Sequence, residues 1–383
     1  MPKSLVKKLF LKIFLLFLPF ILIFAYPLLV ILMADEEISP DRVIVLQQQD
    51  PSLLYGPAFT NQIPYYKLQN TLIRKPQILI LGTSRVMQFR QNFFSTPTNV
   101  YNAGGGIVYL WDYADFLKLI PSNQQPKLLI LGLDQWQFNP NWRRERHQLY
   151  QTIKKKTHAL VEQPLLHVLQ ANFKEIYQAM LAEKVTFDLL WKNIRQRQGT
   201  GLNAVIEKQG FRSDGSYRYG LLKLSDYQER YVDALDRIKT GANFFAYAEN
   251  MDNSRLEILR KILEFCQQNN IHVVAFLPPF SPASMQAMLA NQPRYNYLTQ
   301  IAPTLEPIFQ EYGFSFFDFT NPNKLKITSD DEFIDGFHGS EKTYLQILIQ
   351  LAKRDEYLAK YVNLSFLENL LQTVKDPIYI FND

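Results

Sequence analysis

The chain reads as an α/β protein built on a five-stranded, mostly parallel sheet with helices on both faces. Three observations point there: short, almost wholly apolar runs that stop at Gly, Pro or Asn; helical patterns between those runs; and polar, chemistry-bearing residues where the runs end. A strand buried on both faces loses the apolar/polar alternation of a half-exposed strand, and parallel neighbours need a crossover, usually a helix. With 383 residues, 47% hydrophobic and 14% aromatic, the chain has ample material for a buried core, which argues against disorder over most of its length.

The first element is an apolar run of twenty-one residues, Ile13 to Met33, preceded by Lys3, Lys7, Lys8 and Lys12 and followed by Asp35, Glu36 and Glu37. At about 1.5 Å per residue such a run crosses a bilayer core. The lysines place residues 1–12 in the cytoplasm and the rest of the chain outside it, at the periplasmic or outer face of the cell membrane. A cleaved signal peptide is the rival reading. No small-x-small site follows the run and it is longer than a usual signal core, so a retained single-pass anchor over 13–33 is expected. The formal charge of +5 comes largely from those four lysines, and the near-neutral remainder suggests no nucleic-acid partner.

Residues 34–75 read as a connector, rich in Gln, Pro and Tyr. The α/β domain is expected over 76–352. Its strands are Pro76 to Leu81, Asn99 to Asn102, Lys127 to Leu131, Ile271 to Leu277 and Phe314 to Phe319. A capping-box pattern, S-R-L-E from Ser254, predicts the start of the clearest helix, with Leu256, Leu259, Ile262, Leu263 and Cys266 on its apolar side. Cys266 is the only cysteine, so no internal disulfide is possible, and the five histidines show no zinc spacing. No metal and no cofactor is expected. Residues 141–250 interrupt the strand-helix rhythm as a helical insertion carrying Arg143-Arg144-Glu145-Arg146 and Lys154-Lys155-Lys156. Those runs suit solvated helix faces or contact with anionic headgroups or polymer. Residues 353–383 form a C-terminal extension.

Polar chemistry in parallel sheets gathers at the carboxyl ends of the strands. Gly82-Thr83-Ser84-Arg85 follows the first strand, Ala103-Gly104-Gly105-Gly106 the second and Gly132-Leu133-Asp134-Gln135 the third, while Asp335-Gly336-Phe337-His338 follows the last. A serine hydroxyl becomes a competent nucleophile when an imidazole takes its proton and a carboxylate orients that imidazole. Ser84, His338 and Asp335 supply the three groups, some 250 residues apart in the chain. A helix-capping Ser84 and a satisfied surface His338 are the blander alternatives for each motif alone. His272 falls within a strand and suits packing; His147, His158 and His167 fall in the insertion without a nucleophile motif.

The order strand-GTS-helix, then Asn102-Ala103-Gly104, then a third strand with a polar end, then D-x-x-H before a last helix resembles the SGNH hydrolase superfamily. The nearest likeness is to membrane-anchored proteins of alginate-type polysaccharide O-acetylation and teichoic-acid D-alanylation, and it covers about residues 76–140 and 254–352. The resemblance implies an SGNH/flavodoxin-like sheet with Ser84 as nucleophile, His338 as base and Asp335 as its orienter. Gly104 or Gly105 would lend an amide to the oxyanion hole. The third block departs from the family's Gly-x-Asn-Asp: an ionised Asp134 accepts hydrogen bonds only, and Gln135, which could donate, stands one position late. Arg85 suits a pair with Asp134, an anionic substrate, or a solvated helix start. Trp136 and Trp142 suit stacking on sugar rings or packing under a cap.

The expected activity is transfer or removal of an acyl group, most plausibly acetyl, on a cell-surface or exported polysaccharide through a serine acyl-enzyme, as an O-acyltransferase or carbohydrate esterase. Acetyl-CoA has no ready supply outside the cytoplasm, so the resemblance implies a multi-span membrane acyltransferase partner. The alternatives are a catalytically silent scaffold that binds glycan or a membrane partner in envelope assembly, and an esterase on lipids or small esters.

Overall fold

The computed structural model describes residues 3–58, 62–142, 165–197, 199–220 and 224–381. Among them the helices used below are α1 (Lys3–Met33), α2 (Ile63–Arg74), α3 (Leu110–Lys118), α4 (Leu165–Leu181), α5 (Phe187–Gln196), α6 (Ser254–Gln268), α7 (Pro282–Ala290), α8 (Tyr297–Glu311) and α9 (Glu341–Ala352). The chain divides into two compact units, residues 1–61 with 158–210 and residues 62–157 with 211–383. Their boundaries fall inside the expected connector and inside the expected insertion.

The first unit gathers α1, α4 and α5. Val30, Ile31 and Ala34 of the α1 end are buried with Leu169, Ile176, Leu190, Leu202 and Val205. Glu36, 1% exposed, ties the two segments together: its carboxylate accepts from Ala58 N at 2.8 Å and from Leu202 N at 2.6 Å. The strand pair Leu54–Tyr55 and Gly199–Thr200 adds parallel pairing. No single helix among the described residues is long and apolar enough to cross a membrane. The halves Leu5–Pro19 and Ile23–Met33 of α1 meet that measure only as a pair bent by 66°. The break follows Pro19, which has no N–H for the helical ladder.

The second unit contains a five-stranded, all-parallel sheet of β1 (Ile78–Leu81), β2 (Val100–Asn102), β3 (Leu128–Gly132), β4 (His272–Leu277) and β5 (Ser315–Asp318), in the order β2-β1-β3-β4-β5. These bounds fall within two residues of the apolar runs in the sequence. Alternation along each strand feeds two cores. Leu79, Leu81, Leu129, Leu131, Val273 and Ala275 pack with α3, α6 and α8, while Ile78, Ile80, Leu128, Ile130, Val274 and Phe276 pack with α9. Cys266 lies in the first core, and burial pushes its thiol pKa up to about 12. The C-terminal extension completes the second core through Leu358, Val362 and Leu367.

The start of α6 differs from the sequence pattern. Asn253 is the capping position and Ser254 lies inside the helix. Asp252 is the reason: its Oδ1 accepts from Ser254 N at 3.0 Å and from Ser254 Oγ at 2.6 Å, and an ionised carboxylate outcompetes a hydroxyl as acceptor.

Strand β1 lies between β2 and β3, so the chain leaves it in one direction along the sheet and returns to cross in the other. Ligands of open α/β sheets bind in the crevice at that switch point, outside the strands' carboxyl ends. Ser84 stands three residues beyond the end of β1.

Candidate active site

The apolar strand β1 stops at Gly82, and Thr83 caps a single 3-10 turn, Ser84–Val86, by accepting from Arg85 N at 3.2 Å. The turn is seated by Val86, whose methyls fill the space between the ends of β1 and β3. A Cβ at Gly132 would stand 2.2 Å from Val86 Cγ1, and one at Gly82 2.9 Å from the same atom. Only glycine leaves that room. Of residues 81–90, Ser84 alone is not buried.

The loop after β5 brings the base. Asp335 Oδ1 accepts from Phe337 N at 2.9 Å and His338 N at 2.8 Å, which folds the loop so that Oδ2 meets His338 Nδ1 at 2.7 Å. His338 Nε2 then lies 2.8 Å from Ser84 Oγ. A carboxylate facing Nδ1 holds the proton there, leaving Nε2 free to accept from the serine. Burial pushes the Asp335 carboxyl up, but His338 and the two backbone N–H groups outweigh it and hold the group below the usual carboxylate range.

Arg85 is closed to substrate. It is 1% exposed, and all five of its N–H groups have acceptors. Nε donates to Phe337 O at 2.9 Å, Nη1 to Gln135 Oε1 at 2.6 Å and to Asp134 Oδ1 at 3.4 Å, and Nη2 to Pro278 O at 3.1 Å and Pro279 O at 2.5 Å. The guanidinium also lies over Phe280 and Trp136, 4.7 and 5.2 Å from the ring centres. Of the three roles the sequence allows Arg85, pairing with Asp134 is the one formed. Asp134 is buried, and desolvation, offset in part by Arg85, holds its carboxyl above the ordinary value.

The oxyanion side differs from expectation in detail. Gly104 N donates to Asn102 Oδ1 at 2.8 Å, and Gly105 N is shared between Gly82 O at 3.1 Å and Thr83 O at 3.0 Å. Asn102 Nδ2 in turn reaches Val86 O and Phe89 O, both at 2.9 Å, stitching this loop to the nucleophile turn. The amide of Gln135 donates to Pro278 O at 2.7 Å and Thr320 Oγ1 at 3.0 Å, so it has no hydrogen left for an oxyanion. Ser84 N carries no hydrogen bond to the described residues and is the open donor beside the nucleophile. Trp136, 2% exposed, sits among Arg85, Phe244 and Phe337, and Trp142, 4% exposed, packs near Tyr109 and Phe244. Neither offers a face for a sugar, because the loop around Phe244 already covers them.

Comparison with protein-family models and with curated proteins finds no match.

Two contributors carry no signal in the sequence. Tyr219, on the short strand Tyr217–Tyr219, lies with its ring 5.8 Å from that of His338, and burial together with Asp335 pushes its phenol well above the ordinary value. Lys67 of α2 is fully buried, donates to Asn102 O at 3.0 Å and to Gly215 O, and lies 4.2 Å from the Phe211 ring centre. Burial, opposed in part by Asp214, pulls its ammonium pKa well below the usual value. An α2 lysine and an alternating tyrosine within the expected insertion look like surface residues in sequence; only long-range packing brings them to the site. His272 pairs with Asp355 at 2.9 Å, away from Ser84. His147, His158 and the runs 143–146 and 154–156 lie outside the described residues. Among the described residues no group of three or more His, Cys, Asp or Glu side chains is placed to hold a metal ion.

Proposed function

We propose that the protein is a membrane-anchored, extracytoplasmic serine acyltransferase or esterase of SGNH type that acts on acyl groups, acetyl above all, of a cell-surface or exported polysaccharide. The observation that carries this reading is the continuous chain Ser84 Oγ, His338 Nε2, His338 Nδ1 and Asp335 Oδ2, with links of 2.8 and 2.7 Å. The sheet order 2-1-3-4-5, flavodoxin-like, with the serine at its switch point, supports it. In this mechanism His338 takes the Ser84 proton as Oγ attacks the acyl carbonyl. The tetrahedral oxyanion receives the Ser84 N–H, and His338 returns the proton to the leaving oxygen. A sugar hydroxyl or water, deprotonated in turn by His338, releases the acyl group from the serine. Residues 1–33 anchor the domain through the bent α1, and the acyl donor is a multi-span membrane acyltransferase that passes the group outward.

A second reading, a catalytically silent scaffold that binds glycan or a membrane partner, is favoured by the amides of Gly104 and Gly105 and the side chain of Gln135, all already hydrogen-bonded within the protein. Removing one oxyanion donor typically costs about 10²–10³ in rate. Intact-mass measurement after treatment with a serine-directed fluorophosphonate separates the two. One adduct on the wild type, absent from Ser84→Ala and His338→Ala, supports the enzyme. A folded wild type that takes no adduct supports the scaffold.

A further inference from the structure

Helix α5 carries an exposed apolar stripe beside its buried face. Its buried side, Leu190 and Asn193, faces the first unit's core, where Leu190 packs with Val30 and Ile31 of α1 and with Ala34 just after it. On the adjoining face Phe187, Trp191 and Ile194 are 59, 44 and 49% exposed, at the i, i+4, i+7 spacing of one helical stripe, and Leu181 at the end of α4 is 76% exposed. The Phe187 and Trp191 rings stack with centres 6.0 Å apart and planes 15° from parallel. A stacked aromatic pair that the described residues leave exposed is a costly surface to keep in water.

Three features commit this stripe to one occupant. It belongs to the same packed unit as the C-terminal half of α1, on which the preceding segment is fastened: Phe24 packs on Phe173 at 5.1 Å, Tyr177 donates to Ile23 O, and Tyr26 donates to Val185 O at 3.2 Å, while Leu190 of α5 shares a core with Val30 and Ile31. Exposed Leu29 and Leu32 of α1 belong to the same unit. The stripe is edged by exposed Lys184, Lys192, Arg195 and Arg197 against two acids, Glu183 and Asp188, with the Arg195 guanidinium 5.3 Å from the Trp191 ring centre. An apolar stripe holding Trp and Phe, with cations at its margin, is the composition of a helix lying in the headgroup region of a bilayer.

We infer that α5 lies in the membrane interface on the side where α1 ends, its Phe187, Trp191 and Ile194 among the upper acyl chains and its cations among anionic headgroups. This rests on α1 as the anchor. It adds a second contact that would fix the first unit against the membrane surface, which a single span leaves free to rotate.

Trp191 makes the test direct, because the other three tryptophans, Trp111, Trp136 and Trp142, are no more than 8% exposed. The full-length chain is reconstituted in phosphatidylcholine/phosphatidylglycerol vesicles carrying lipids brominated either near the headgroup or near the chain end, and tryptophan emission is read. The expected result is quenching by the shallow bromolipid, weaker quenching by the deep one, and loss of the quenchable emission in Trp191→Phe. Emission from Trp191 that is quenched by aqueous iodide and not by bromolipid overturns the inference. So does shielding from both, which would mean that protein covers the stripe. Alkaline carbonate extraction of the same vesicles tests the anchor separately: protein that resists extraction while Trp191 shows no bromolipid quenching loses the α5 contact and keeps the span.

Discussion

Arg85 Nε donates to the carbonyl oxygen of Phe337 at 2.9 Å, so the residue after the nucleophile holds the residue before the base. The two motifs are joined by this bond as well as by the hydroxyl-imidazole contact. The spacing of Ser84 and His338 is thus set by a buried strut outside the reacting atoms. The same guanidinium reaches the third block through Asp134 and Gln135 and the end of β4 through Pro278 and Pro279, so one side chain fixes four loops of the rim.

Arg85→Lys keeps a positive charge and loses the five-donor fork. It leaves Gln135 Oε1 and several carbonyls without donors in a dry site. Breaking a buried charge network in this way is expected to cost about 3–5 kcal/mol. Denaturant unfolding reads the loss directly, and fluorophosphonate labelling of Ser84 should slow in the folded fraction. A variant as stable as the wild type would mean that the strut is dispensable.

Asp335→Asn retains an oxygen for the N–H groups of Phe337 and His338, so the loop should keep its shape. The amide cannot hold the proton on His338 Nδ1 as a carboxylate does. The second-order labelling rate at Ser84 is expected to fall by about 10⁴ in protein that remains folded. An unaltered rate would remove Asp335 from the mechanism.

Gly132→Ala puts a methyl where Val86 Cγ1 now lies, 2.2 Å from the new Cβ. Overpacking of this kind costs about 1–3 kcal/mol. Val86→Ala opens the same space, so the double variant should be more stable than the sum of the two single changes by about 1 kcal/mol or more. Strict additivity in the four unfolding curves would show that the two residues do not share that volume.

The carboxylates whose folded pKa lies below the ordinary value contribute to acid stability, and they include Asp335, where burial is outweighed by His338, and Asp214, where burial is outweighed by Arg90, Ser216 and Arg212. Each binds its proton less readily folded than unfolded. Their contribution is complete above the unfolded value of about 3.9 and is lost as pH falls through the lower folded value. The stability that the wild type gains over Asp335→Asn from this carboxylate should therefore be constant above about pH 4 and shrink as pH falls below it. A wild-type advantage over Asp335→Asn that did not shrink in acid would contradict the assignment.

The parts legible in the sequence are those governed by local pattern. The apolar runs ending in Gly, Pro or Asn mark the five strands of the all-parallel sheet to within two residues, because a strand buried on both faces has little choice of composition. The pairing of Asp335 with His338 is equally local, three residues apart on one loop. What the sequence hides is set by distant packing. Arg85 looks as available to a substrate as to Asp134 until the ends of β3 and β4 close over it. Gln135 looks like a spare donor until Pro278 and Thr320 are placed beside it. Ser254 fits a capping pattern that fails because Asp252, two positions earlier, binds its hydroxyl. The helices α4 and α5 read as part of an insertion, and their attachment to α1 rests on contacts such as Phe24 with Phe173 that no short pattern carries.

The burial of Val30, Ile31 and Ala34 against Leu169, Ile176 and Leu190 has a consequence in time. A ribosome adds about 5–20 residues per second, so on the order of ten seconds or more passes between the emergence of the α1 end and that of its partners. Through that interval this greasy segment has to be sheltered by something other than its own chain. Delivery of the nascent N-terminus to an insertion machinery would shelter it. A truncation that stops before residue 165 should then remain bound to that machinery or be degraded, while a chain extended through residue 210 becomes the first product able to let go.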